Sequence, residues 1–417
     1  MAPPVPCRAV ARNREGWTGG AQPLSLGVMD EGTTLEPLAY HRAVVDHLRA
    51  HEPETWAWAE APGTRDEQAA AVRAALLRET YRLEAAAHGD VHADCAAAMA
   101  TLGLDAPVTL YQAGDGPMNA SLYFVPGEVH LLFHGPVLER LAREERVALL
   151  GHELAHYRLW SVEDGAFHTA VTILDHALAY PNAATAHVET ARVFRLMTEL
   201  YADRGAALAA GAVGPAIATL VKTVTGAAAV DADAYLRQAT EAEAGSGASQ
   251  GQTHPETFLR AGALDRWWRD EPDLGAWLDA RVRGTLSIAA LDLMRQDEAT
   301  AITRGVLARL AADPAADSDA VRALLRRYFP DWRDDEPAVM DAALAPDRMD
   351  ASFREYLVAL SLDVAMADAD PDARGALLAA GARLAAMYHG IEPFRTALKR
   401  DLKWTKPAIE RLLKAAA

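Results

Sequence analysis

Cysteine is almost absent from this sequence, with two in 417 residues, Cys7 and Cys95. That excludes a disulfide-stapled scaffold and fits a reducing compartment. A basic excess is also missing: 41 Lys and Arg stand against 58 Asp and Glu, for a net charge of -17. A nucleic-acid binder needs a basic footprint, so that class is excluded. Long apolar runs are lacking too. The least polar stretch, 205–230, owes its apolarity mostly to alanine and is interrupted by Pro215 and Lys222. A spanning helix needs about 20 strongly apolar residues, so no integral membrane segment is expected. The first 28 residues are rich in Pro, Gly and Arg and have no apolar core of a secretory signal. We expect a disordered tail over 1–29, with Met29 as an alternative start, and a cytoplasmic protein.

What is present is alanine-rich helical periodicity, in a chain long enough for two or three domains. Residues 38–50 and 66–87 read as helices. Residues 107–112, 121–125 and 127–133 are strand-like, with Pro126-Gly127 as a turn between the last two. Helix returns from Pro136. Residues 168–189 are partly helical and broken at Pro181-Asn182, and 243–255 is a Gly/Ser/Gln loop ending in His254-Pro255. From about residue 286 the pattern is helical to the end. The fold class is therefore α+β, predominantly α: an N-terminal helical region (30–105), a unit with a small β-sheet (106–285) and a C-terminal helical domain (286–417).

The sequence His152-Glu153-Leu154-Ala155-His156 lies within the helical run 141–160. Two histidines four residues apart share one helix face, so both imidazoles can reach one metal ion. Glu153 sits about 100° round the axis, beside the metal and suited to act as general base on a water it activates. Given 14 histidines, chance alone produces the pattern in about 3% of such chains. Its apolar neighbours Val147, Leu149, Leu150 and Leu154 point to a buried helix, where polar groups need partners. An open catalytic zinc requires a third protein ligand. Glu199, 43 residues beyond His156, is the candidate. Asp203, one turn further, is placed to accept the Nδ1–H of His152 and fix its tautomer.

The ordered set HELAH, then ELYADRGAA (199–207), then THPETFLR (253–260) resembles the HtpX-like and CAAX-prenyl-endopeptidase-type zinc metallopeptidases, which are gluzincins. Met118-Asn119-Ala120 before a strand, Glu145 seven residues before the first histidine, Gly211 and Pro215 fit the same order. The resemblance covers about 107–265. It implies a zincin-type catalytic domain holding one Zn2+ per chain on His152, His156 and Glu199. Glu153 would be the base, Asp203 a partner of His152, and His254 and Arg260 further candidate catalytic residues. Many relatives are membrane-embedded or exported, and this chain shows neither feature. The implied reaction is endoproteolysis of a polypeptide substrate, in a setting such as protein quality control.

Two other readings stay open: a non-catalytic zinc-binding scaffold or chaperone-like protein, and an aminopeptidase. An aminopeptidase commonly places its third ligand roughly 20 residues after the second histidine, so the gap here disfavours it. His254, after the flexible loop, reads as an inhibitory latch, an oxyanion donor or a structural residue. A peptide would pair with a strand edge, Asn119–Phe124 or Glu128–Phe133. His168, His176 and His187 read as solvated or core residues, not as a second metal site. In Trp267-Trp268 one ring is expected in the core. Residues 353–402 resemble a TerB-like helical bundle. There Asp363, Asp368, Asp370 and Asp372 read as a helix-capping group or a cation site. Oligomeric state is not legible.

Overall fold

A computed structural model describes residues 35–114 and 116–416. The tail expected over 1–29 lies outside them. The N-terminal helices are α1 (Ala39–His51), α2 (Pro53–Glu60) and α3 (Pro62–Glu79). A two-residue strand β1 (Tyr81–Arg82) follows, then α4 (Gly89–Thr101), β2 (Val108–Gln112), β3 (Asn119–Val125) and β4 (Glu128–His134). Next come α5 (Val137–Arg140), α6 (Arg143–Ser161), α7 (Ala166–Leu178), α8 (Thr185–Ala210), α9 (Val213–Thr225), α10 (Ala232–Ala244) and α11 (Thr257–Trp268). The rest is α12 (Leu274–Leu278), α13 (Leu293–Ala311), α14 (Asp319–Tyr328), α15 (Ala351–Ala367), α16 (Pro371–Met387), α17 (Ile391–Arg400) and α18 (Lys406–Ala416), joined by short 3-10 turns. The fold is a mainly-α α+β fold with one small sheet.

One expected helix is shorter than its periodicity suggested. The run 66–87 stops at Glu79, and Tyr81 and Arg82 pair antiparallel with Gln112 and Tyr111. The Thr80 hydroxyl donates to Leu76 O at 2.6 Å, closing the helix as the backbone turns extended.

The sheet order is β1-β2-β4-β3. β3 and β4 form a hairpin whose turn uses Gly127 at φ 80°, where a side chain would be strained. β2 runs parallel to β4, with Leu110 opposite Leu131. β4 is thereby interior, and its Val129, Leu131 and Phe133 are fully buried. β3 is left as an edge, and α6 packs beside it. Of the two candidate substrate strands, Asn119–Phe124 thus lies on an edge and Glu128–Phe133 does not.

Helices α6 and α8 pack antiparallel with little between them. A Cβ on Gly151 would lie 2.4 Å from Ala209 Cβ, and one on Gly205 would lie 2.4 Å from Ala155 Cβ. Other contacts fix α6 from outside. Asp94 of α4, buried, accepts from Arg143 Nε (2.9 Å) and Arg146 Nε (2.8 Å). Glu145 pairs with Lys222 of α9 at 2.8 Å.

The main hydrophobic cluster runs from Leu35 to Leu293, and a second from Leu286 to Ile409 gathers α13 to α18. α13 enters both. It begins at buried Asp292, which caps Arg295 N (2.6 Å) and receives the Tyr40 hydroxyl (3.0 Å). In the acidic turn, Asp370 accepts from Asp372 N and Asp368 from Asp370 N. Asp363 accepts the Tyr328 hydroxyl. The first two are local turn and capping contacts, the third ties α14 to α15, and the four carboxylates form no candidate metal group among the described residues.

His41 gives α1 a pH-sensitive anchor. Its ring is fully buried against Phe194 (centroids 4.8 Å), Nδ1 accepts from Leu38 N (3.3 Å), and Nε2 donates to Thr198 Oγ1 (3.3 Å). Burial, helped by the Arg204 charge, pushes its pKa down from 6.5 to about 3. A proton binds this imidazole in the unfolded chain and not in the folded one. Its contribution is complete above about pH 6.5 and is lost toward pH 3, at about 1.4 kcal/mol per pH unit. His41→Gln should flatten this acid limb by about that slope. Urea unfolding across pH 4–7, wild type against variant, measures it; parallel curves would contradict the assignment.

Candidate metal centre

α6 supplies His152, Glu153 and His156 within little more than one turn, and α8 supplies Glu199 and Asp203 from the facing helix. His152 Nε2 and His156 Nε2 are 3.3 Å apart. Glu199 Oε2 lies 3.5 Å from the first, and Oε1 lies 3.7 Å from the second. These separations, each imidazole measured to its own carboxylate oxygen, are of the size one tetrahedral ion needs: ligand distances of about 2.1 Å imply about 3.4 Å between donor atoms, and one ligand atom from each of the three residues lies within 4.8 Å of the others. His156, Glu199 and Glu153 are each more than 90% buried. Glu199 Oε2 makes no directional hydrogen bond, although Arg260 Nη2 is 3.2 Å away. A buried carboxylate oxygen left short of partners beside two converging imidazoles fits a divalent cation. Zinc matches this N2O donor set.

Asp203 Oδ1 is 3.1 Å from His152 Nδ1, which holds the Nδ1–H tautomer and turns the Nε2 lone pair toward the site. Arg260 of α11 grips Asp203 with two hydrogen bonds, Nε to Oδ2 at 2.9 Å and Nη2 to Oδ1 at 2.7 Å. Arg260 is thus spent on the two carboxylates. Burial opposes the ionisation of Asp203 and Glu199, yet this guanidinium and the histidines hold both pKa values below the ordinary range. Burial likewise disfavours a charged His152, but the Asp203 and Glu199 carboxylates beside its two ring nitrogens raise it to about 10. Burial carries His156 the other way, to about 4. Ligand imidazoles are neutral, so an ion held here would require His152 without its second proton.

Glu153 lines the same cleft as His152, His156 and Glu199, has its pKa raised by burial, and accepts from Leu122 N–H on β3. His254 is more than half exposed, with Nε2 3.6 Å from Glu199 Oε1 and Nδ1 2.9 Å from Thr253 Oγ1. Its loop is tied down from two sides. Arg192 donates to Gly251 O at 3.1 Å, and Ser249 N donates to Arg281 O at 2.7 Å. The cleft of about 740 Å³ runs from Met118, just before β3, and Leu122 on β3 past the two histidines and Glu199 to Leu220 and Val224 on α9 and Phe194 on α8.

The other histidines are elsewhere. His168 stacks on Phe124 (4.4 Å), His176 on Trp58 (4.5 Å), and His187 meets Glu52 at 2.7 Å. Trp268 is buried, while Trp267 lies under Arg204. The close glycine contact between α6 and α8, the two-pronged Arg260–Asp203 pair and the Leu122 amide are not foreseen from the sequence. Only Gly151, directly before His152, hints at close helix approach.

Two imidazoles and a carboxylate around one point, with a second buried carboxylate beside them, make a metallopeptidase-type site. Residues 86–268 match the model of peptidase family M48. The matched segment takes in α4, β2 to β4, both ligand helices and Arg260, and it supports metalloprotease activity. No curated protein and no solved structure matches the chain.

Proposed function

We propose that this protein is a zinc metalloendopeptidase of the HtpX-like, CAAX-prenyl-endopeptidase type, with one Zn2+ on His152, His156 and Glu199. The observation that carries the reading is the convergence of His152 Nε2, His156 Nε2 and the two oxygens of the Glu199 carboxylate at 3.3–3.7 Å, with Glu153 buried beside them and accepting from an edge strand. When bound, the ion polarises a carbonyl and lowers the pKa of water toward about 7. The chain does the rest. An extended peptide pairs with the edge of β3, which sets its scissile bond over Glu153. Glu153 takes the proton of the attacking water and returns it to the leaving amine. Burial, which raises its pKa, suits it to both steps. Asp203, held by Arg260, keeps His152 oriented. We assign His254 to the developing oxyanion, which it can approach from the solvent side.

Cleavage within chains is favoured over aminopeptidase action. An aminopeptidase needs a free carboxylate for the α-amine. The acidic groups lining the cleft are Glu153, Asp175, Glu199 and Asp203, and Asp175 is engaged by Arg195 at 2.6 Å. The need for an extended substrate suits unfolded polypeptides, hence protein quality control. Among the described residues no helix is long and apolar enough to cross a membrane, which agrees with the proposed cytoplasmic setting. The second hydrophobic cluster, which gathers α13 to α18, supports treating 286–417 as a helical domain of its own, for which the TerB-like character rests on the resemblance of 353–402.

The test combines metal analysis with cleavage of casein and of an N-terminally blocked peptide. The expected result is about one zinc per chain, cleavage of both substrates, and loss of activity on chelation that zinc restores. Glu199→Ala should purify without zinc. Stoichiometric zinc with no turnover would hand the assignment to the scaffold reading. Cleavage restricted to free N-termini would hand it to the aminopeptidase.

A further inference from the structure

Behind α8, away from the cleft that holds His152, His156 and Glu199, the described residues line a second, open-mouthed cavity of about 520 Å³. It shares no lining residue with the cleft. Met197 and Arg204, seven residues apart and so on one helix face, turn toward it, whereas Glu199 and Asp203 turn toward the metal centre. Its walls are largely apolar: Leu38, Tyr40, Leu274, Leu278, Met197 and Met294. The size falls in the range of about 300–1,000 Å³ typical of small-molecule sites.

Two arginines reach this cavity, and they differ. Arg283 is neutralised by Asp279 (2.8 Å) and Asp292 (3.1 Å). Arg204 has no carboxylate within ion-pair distance and donates no hydrogen bond among the described residues; its guanidinium lies 5.2 Å over the Trp267 ring. Stacking on the indole occupies a guanidinium's face and leaves its N–H edge for an acceptor. Burial costs this cation enough to push its pKa down to about 10. An uncompensated cation in an apolar wall is expensive unless an anion joins it.

We propose that this cavity binds a molecule with an apolar body ending in a carboxylate. The carboxylate takes the N–H edge of Arg204, and the body lies against Leu38, Met197, Leu274 and Leu278. A single unpaired positive charge, with Glu36 and Asp279 also on the wall, favours a monoanion over a phosphate dianion. The site is independent of the peptidase reading. Its carboxylate has two sources, a fatty acid or the free C-terminus of an apolar peptide.

Calorimetric titration of the full chain distinguishes them. The probes are dodecanoate below its micellar concentration, dodecylamine, and acetyl-Ala-Leu-Leu as free acid and as amide. One dodecanoate per chain is expected, with dodecylamine at least tenfold weaker. Arg204→Met, which keeps the aliphatic stem, should weaken dodecanoate about ten- to hundredfold, as loss of a charge-assisted bond would. Met197→Trp should abolish binding by filling the cavity while circular dichroism and metal content stay unchanged. Tight binding of the free-acid peptide but not its amide would assign the site to chain termini, and dodecanoate alone would assign it to lipid acids. Failure of both acids to bind, equal affinity in Arg204→Met, equal affinity for the amine, or several dodecanoates per chain would each overturn the proposal.

Discussion

Glu153→Gln is expected to keep its metal and lose about four orders of magnitude in kcat. The amide matches the carboxylate in shape and can still accept the Leu122 N–H, so β3 and α6 should not move. It cannot take a proton from water or deliver one to an amine, and that step is worth about 10²–10⁴ or more where no other base stands in. Among the described residues the neighbouring carboxylates are not substitutes. Glu199 is engaged with both histidines, and Asp203 is locked by Arg260. Burial already disfavours the Glu153 carboxylate, so neutral Gln should leave the melting temperature unchanged or higher. Peptide turnover, metal content and thermal melts of one preparation decide the matter. Residual activity above a tenth, or loss of the metal with the base, would remove Glu153 from the role.

The site was legible to different depths for physical reasons. His152, Glu153 and His156 share one helical turn, so spacing alone states their geometry. Glu199 comes from another helix 43 residues on, and no periodicity links the two; the order of motifs in related peptidases suggested it. The joining of Asp203 to Arg260 across 57 residues is a tertiary fact. The choice of substrate strand hung on the parallel pairing of β2 with β4, which local alternation cannot predict, since it places β4 inside whatever its own pattern. The helix expected over 66–87 failed over its last two turns because tertiary pairing of Tyr81 and Arg82 with β2 outweighed helix propensity in an alanine-rich stretch. His254 was legible as near the metal, and the structure places it 3.6 Å from Glu199.

Gly205→Val is expected to weaken zinc binding by at least a hundredfold and to destabilise the fold by about 3 kcal/mol. The reason is the seam between α6 and α8. A Cβ at Gly205 would meet Ala155 Cβ at 2.4 Å and Gly151 O at 2.9 Å, and both are fixed by backbone, not by the end of a flexible side chain. Contact distances near 3.5 Å or more are needed, so the helices must part by about an ångström. His152 and His156 ride on one helix and Glu199 on the other, whereas ligand distances tolerate only about ±0.2 Å. Shape thus becomes affinity through the seam: two glycines set the span across which the ligands face one another. Gly211→Ala separates this effect from general damage. Gly211 ends α8 at φ 69° with open space around its Cβ position, so the substitution should cost about 1 kcal/mol of backbone strain and leave metal affinity intact. Chelator competition and urea unfolding on both variants test the claim. A folded Gly205→Val protein that holds zinc as tightly as wild type would show that the seam does not set the ligand spacing.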